Sequence, residues 1–179
     1  MTDAVHPALT PDTKARFETR SGLAIDVRMA SEADEPALAD LFAKVSKDDL
    51  RFRFFSASDH VSHEQLGALV HANHFTSESF LAFDAQKGDL VASAMLACDS
   101  KLDTAEVAVS IRSDYKGLGV GWALLGFLAQ EAERLGVRRV IAIEARENHA
   151  AIEVERDKGF VPEPFEGDAT LVILSKEFR

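Results

Sequence analysis

Between positions 111 and 122 the chain reads Ile111-Arg112-Ser113-Asp114-Tyr115-Lys116-Gly117-Leu118-Gly119-Val120-Gly121-Trp122. The alternating glycines strip the Cβ atoms from one side of a turn that leads from an apolar strand into a helix. Backbone N–H groups can then converge on an anion, helped by the positive end of the following helix dipole. Lys116 adds a point charge suited to phosphate. The stretch reads as a pyrophosphate cradle. Two other phosphate loops fit it less well. A Walker A loop needs Gly-Lys followed by Ser or Thr, whereas Trp122 follows Gly121. The dinucleotide fingerprint needs a further glycine where Trp122-Ala123-Leu124-Leu125 stands.

The strand that feeds the cradle, Thr104 to Ile111, has two unlike faces. Val107, Val109 and Ile111 point one way, and Glu106, Ala108 and Ser110 the other. One carboxylate among small side chains suits the close approach of a ligand. His60, His63, His71 and His74 form two His-x-x-His pairs, but no acidic or cysteine partner set accompanies them, so no metal is expected. Asp49-Leu50-Arg51-Phe52-Arg53-Phe54-Phe55 reads as a loop whose phenylalanines plug the core, or alternatively as part of a substrate wall.

The elements that must position these groups are legible from periodicity. Arg16 to Thr19 and Leu23 to Arg28 pair as a hairpin across Ser21-Gly22. Ser31 caps a helix whose stripe is Leu38, Leu41, Phe42 and Val45. A second helix starts at Ser62 and runs to about Val70. Strands follow at Phe80 to Phe83 and Leu90 to Ala97. A helix from Trp122 to Leu135 ends on Gly136, and Val140 to Ile143 reads as a strand buried on both faces. Asn148 caps a charged helix closed by Gly159; a strand begins at Phe160 and another covers Thr170 to Leu174. The order is mixed α/β, with strand and helix alternating in the C-terminal half.

With these elements placed, the chain resembles the GNAT N-acetyltransferase superfamily, and within it the acetyltransferase domain of bacterial protein lysine acetyltransferases. The likeness runs from about Thr19 to Phe160. It rests on Lys116 to Gly121 as the R/Q-x-x-G-x-G/A loop and on Asn148 to Gly159-Phe160. Ala105-Glu106-Val107-Ala108-Val109 and Arg51-Phe52-Arg53-Phe54-Phe55 add to it. The resemblance implies a mixed, mostly antiparallel sheet of about six to seven strands with about four flanking helices. It also implies a V-shaped split between strands 4 and 5 that holds acetyl-CoA. Carried onto this chain, it assigns backbone contacts to Ile111, Arg112 and Ser113. It assigns the diphosphate to Lys116, Gly117, Leu118, Gly119, Val120 and Gly121, the pantetheine side to Asn148, and the general base to Glu106. Where many relatives place a tyrosine general acid, this chain has Glu155; its lone tyrosine, Tyr115, lies in the loop.

Composition sets the outer limits. A length of 179 residues suits one domain, expected over residues 16–179 behind a mobile arm at 1–15. A net charge of −10 argues against a nucleic-acid partner and agrees with a cationic acceptor. No run approaches the roughly 18 apolar residues of a membrane span, and the N-terminus lacks the pattern of a signal peptide. The sole cysteine, Cys98, agrees with a reducing cytoplasm. The expected activity is acetyl transfer from acetyl-CoA to a primary amine, a protein lysine ahead of a polyamine or aminoglycoside. A CoA-binding regulatory module without turnover is the alternative, and the acyl chain and a homodimeric state stay open.

Overall fold

The computed structural model describes residues 14–58 and 60–179. The strands are β1 (Lys14–Glu18), β2 (Ala24–Met29), β3 (Ser77–Asp84), β4 (Leu90–Cys98), β5 (Thr104–Ile111), β6 (Arg139–Ala145), β7 (Val161–Pro164) and β8 (Leu171–Glu177). The helices are α1 (Glu35–Ala43), α2 (Lys47–Phe54), α3 (His63–Val70), α4 (Val120–Arg134) and α5 (His149–Asp157). One sheet runs β1-β2-β3-β4-β5-β6-β8-β7. Every neighbouring pair is antiparallel except β5 and β6, which the α4 crossover forces parallel.

The sheet is mixed and mostly antiparallel, as expected, but it holds eight strands among the described residues where six or seven were anticipated. Five helices stand where about four were expected. The N-terminal hairpin therefore shifts the count, and the split lies between β5 and β6 instead of strands 4 and 5. β1 opens at Lys14, inside the span expected to be a mobile arm; the rest of that arm, residues 1–13, lies outside the described residues.

Helices cover both faces, and the alternation of β3 shows why. Phe80 and Ala82 enter the cluster beneath α4 with Ile25, Val27, Leu124 and Leu128. Leu81 faces the opposite cluster of Leu38, Leu41 and Leu66 from α1 and α3. A strand apolar on both faces belongs in the interior of a covered sheet. Two expectations fail locally. Lys47–Phe54 is a helix, started by the Ser46 hydroxyl accepting from Asp49 N at 3.1 Å, where a loop was anticipated. The alternation of Arg and Phe carries no helical stripe, so only the cap announced it. In β6, Val140 and Ala142 are buried, but Ile141 and Ile143 are only half-buried, because their side of the strand faces a cleft.

The entry to α1 is fixed by charge. Asp34 accepts from Ser31 N at 2.8 Å and takes both guanidinium nitrogens of Arg28 at 2.7 and 2.8 Å. The Arg28 guanidinium holds the Asp34 carboxyl down to about 2, assisted by the Ser31 backbone and against the cost of burial. A carboxylate depressed by folding stabilises above its unfolded titration range and loses that contribution as pH falls toward about 2. Asp34→Asn should cost about 1–2 kcal/mol at neutral pH and remove this part of the acid sensitivity, read by thermal unfolding between pH about 2 and 7.

Candidate active site

β5 pairs with β6 only from Thr104 to Glu106, opposite Arg139 to Ile141. Beyond Glu106 each strand keeps its outer neighbour: β5 stays on β4 as far as Ile111, and β6 on β8 as far as Ala145. The two halves of the sheet therefore part. Arg112 N donates to Val91 O on the β4 side, so the period-two alternation turns the peptide groups of Val107, Val109 and Ile111 toward the gap. Into that gap opens a cavity of about 420 Å³, walled by β5, the start of α4, α2, β6 and α5.

The glycine loop closes one end. Gly117 and Gly119 adopt φ of +76° and +84°, the left-handed region that a side chain resists. Gly121 is helical, but a Cβ there would meet Ile111 Cδ1 at 3.0 Å, so it is glycine for close packing against β5. The first α4 amide to find a helical acceptor is Ala123 N, on Gly119 O at 3.1 Å. Ahead of it, no acceptor exists among the described residues for the amides of Val120, Gly121 and Trp122. This is a donor set shaped for an anion. The Ser21 hydroxyl braces the loop by donating to Leu118 O at 2.8 Å.

Of the residues singled out above, Glu106, Ile111, Lys116, Gly117, Gly119, Val120, Gly121 and Asn148 all line the cavity. Arg112, Ser113 and Leu118 do not. The Arg112 amide goes to Val91 O and the Ser113 amide to Lys44 O. The Arg112 guanidinium forks onto Asp114 at 2.7 and 2.8 Å, and Leu118 packs on the core. Lys116 Nζ donates to Asp49 Oδ2 at 3.0 Å, which ties the loop to α2. The Asn148 side chain caps α5 by accepting from Ala151 N and donates to Glu144 Oε2 at 2.9 Å.

The facing wall was under-read from sequence. Asp49, Phe52, Arg53 and Phe55 of α2 and its end line the cavity, which favours the substrate-wall reading of that segment. Burial pushes the Arg53 guanidinium down, while Glu106 and Glu144 push it back up, so one cation sits within Coulomb range of both carboxylates. Glu144 was missed altogether; its only sequence signal is a carboxylate closing an apolar strand. Glu155 is 6% exposed and meets Glu144 across the cavity wall. Burial first, and Glu144 second, push its carboxyl up to about 9; burial also raises Glu144.

Three other candidates resolve as local structure. The Tyr115 hydroxyl donates to Asp84 Oδ2 at 2.8 Å, and burial with that contact pushes it up to about 12. His63, His71 and His74 pair with Glu35, Glu32 and Glu78, three separate carboxylates. Burial raises the Cys98 thiol, which keeps it in the unreactive protonated form.

The sequence profile of the acetyltransferase (GNAT) family matches residues 43–160. The acetyltransferase PA5475 of Pseudomonas aeruginosa is 28% identical over 149 residues, covering 82% of this chain and 80% of that protein. Among solved structures, the GNAT domain of S. lividans PAT superposes with a TM-score of 0.84 at 24% identity, covering 92% of this chain and 97% of that one. The spermidine N-acetyltransferase of Vibrio cholerae, solved with CoA and spermine, gives a TM-score of 0.67 at 19% identity, covering 84% of this chain and 92% of that one.

The cradle itself is open to test. Gly119→Ala places a Cβ at φ +84° and 3.3 Å from Thr19 Cβ. It should lower stability by about 1–2 kcal/mol from backbone strain alone. Chemical denaturation reads the loss, and an unchanged midpoint would refute the tight-turn account.

Proposed function

Because the chain belongs to the acetyltransferase (GNAT) family, we propose that its cavity transfers the acetyl group of acetyl-CoA to a primary amine, a protein lysine first among acceptors, with Glu106 as general base. The observation that carries this reading is the meeting of three features in one cavity. These are an unpaired β5 edge, the bare amides of the α4 N-terminus, and the Glu106 carboxylate. The β5 edge suits the amide-bearing arm of coenzyme A, and the cradle suits its diphosphate. The single positive φ-locked turn between them sets the spacing.

A lysine amine is neutral about once in a few thousand molecules at pH 7, so supplying the nucleophile costs roughly 4–5 kcal/mol. Glu106 stands at the end of the paired region, where β5 leaves β6. There a carboxylate attracts the ammonium, orients it and accepts its proton, directly or through one water. The oxyanion that forms as nitrogen attacks the thioester carbonyl needs a donor. The gap-facing N–H group of Val109, beyond the last β5–β6 pair, is oriented to supply it.

The resemblance of Ala105 to Val109 and Arg51 to Phe55 to bacterial protein lysine acetyltransferases supports a lysine acceptor, and the acidic cavity lining of Glu106, Glu144 and Glu153 supports a cationic one. A polyamine is the second reading, favoured by the same acidic lining and by the fold shared with the Vibrio spermidine enzyme. Release of CoA thiol with a lysine peptide, with spermidine, or with neither separates these readings from a binding module that lacks turnover.

Glu106→Gln should lower kcat at pH 7 by about a hundredfold or more while leaving the affinity for acetyl-CoA unchanged. The deficit should shrink as pH rises, since the amine then deprotonates without help. Equal kcat for variant and wild type across the pH range removes Glu106 from the base role.

A further inference from the structure

Glu155, buried beside Glu144, has no part in the chemistry described so far. Glu155 projects from α5 into the cavity wall, and its Oε2 is fully buried with no hydrogen-bond partner among the described residues. Glu144 is better provided: Asn148 Nδ2 donates to its Oε2 at 2.9 Å, and the Arg53 charge of α2 favours its ionised form, against Asp49. Among the described residues no cation acts on Glu155 itself: Arg53 of α2 acts on Glu144, and Lys158 of α5 lies over the Trp122 ring at 3.0 Å. β6 presents Glu144, α4 presents Trp122 and Leu125, and Lys176 of β8 is taken by Lys158 O at 2.9 Å. Two carboxylates this close cannot both ionise, so the proton of the pair rests on Glu155.

We propose that Glu155 is the general acid of the transfer, donating its carboxyl proton to the coenzyme A sulfur as the thioester C–S bond breaks. The proposal rests on the acetyl-transfer reading above. As the carbonyl carbon–sulfur bond cleaves, its electron pair goes to sulfur, which takes the Glu155 proton. The ammonium passes one proton through Glu106 to solvent before attack, and its second goes to Glu106 as the new bond joins the acyl carbon to nitrogen. Glu106 then returns its proton to solvent and Glu155 recovers one, so no further reactant is consumed. A carboxyl that titrates at about 9 matches a thiol leaving group near the cysteine range of about 8.5. An ordinary glutamate would already be ionised at neutral pH and have nothing to give. Tyr115 cannot serve, because its hydroxyl is held by Asp84. The pair is also a poor choice for filling space, since burying two acids side by side costs stability that an apolar or amide side chain would not.

The test is Glu155→Gln in the full chain, which keeps the shape and removes the proton. Kinetics are measured with whichever amine the wild type acetylates, from pH about 6 to 10. General-acid loss predicts a kcat reduced at least tenfold, on the order of the smallest acid–base contributions, with KM for acetyl-CoA unchanged. Wild-type kcat should fall as pH passes about 9, and the variant should lack that limb. Glu144→Gln should move the same limb to lower pH. Thermal unfolding supplies a readout independent of turnover. A carboxyl raised by folding contributes below its unfolded range, and that contribution is lost as pH rises toward about 9. Glu155→Gln should therefore become steadily more stable than wild type over that interval. A variant with wild-type kcat and the same alkaline limb overturns the proposal, as does a stability difference that is flat in pH. A wild type that releases no CoA thiol with any amine fails at the earlier step and takes both readings down, whereas an active wild type with an equally active variant removes only Glu155.

Discussion

The parting of β5 from β6 after Glu106 is the constraint on which the rest of the structure turns. Each strand is fully paired on its outer side, β5 with β4 and β6 with β8, so the sheet twists as two half-sheets that share only three residue pairs. The peptide groups left facing the gap have to be satisfied by water or ligand. Unmet, each would cost about 1–3 kcal/mol once water is excluded. A ligand that brings its own amides meets that requirement along the strand, and an anion meets it at the α4 N-terminus. The fold thus makes a site out of an unfinished ladder.

Around this gap the charges are placed to restrain one another. Lys116 and Asp49 join the glycine loop to α2, and Arg51 reaches Glu147 at 3.3 Å, which joins α2 to the turn before α5. α2 is therefore strapped to both walls of the cleft at solvent-exposed ends, where such pairs are individually weak. Deeper in, Arg53 lies between Glu106 and Glu144. In the first turn of α4, Trp122 is held between Arg20 at 3.9 Å and Lys158 at 3.0 Å from its ring centroid. These cation–aromatic contacts fix the first turn of α4, and with it the direction of the free amides.

Local signals were read well where they were local. The glycine loop, the hairpin at Ser21-Gly22, the caps at Ser62 and Asn148 and the terminator at Gly136 depend on a few adjacent residues whose backbone preferences are strong. α2 was misjudged because its helix is specified from outside. Phe54 packs edge-on against Phe42 of α1 at 5.5 Å, and Arg53 is drawn toward carboxylates on β5 and β6, none of which a window of eight residues contains. For Arg112 and Ser113, expected beside the cofactor, the structure adds that their amides go to Val91 and Lys44, partners far away in the chain.

By itself the sequence determined the glycine turn that opens a helix, the strand that carries Glu106 and the mixed α/β order, because glycine φ preference, strand alternation and capping are properties of neighbours along the chain. Only the tertiary structure decided that Glu144 and Glu155, eleven positions apart on a strand and a helix, lie side by side in the wall of one cavity. A titration shift arises from desolvation and from charges close in space, and neither is written in sequence distance.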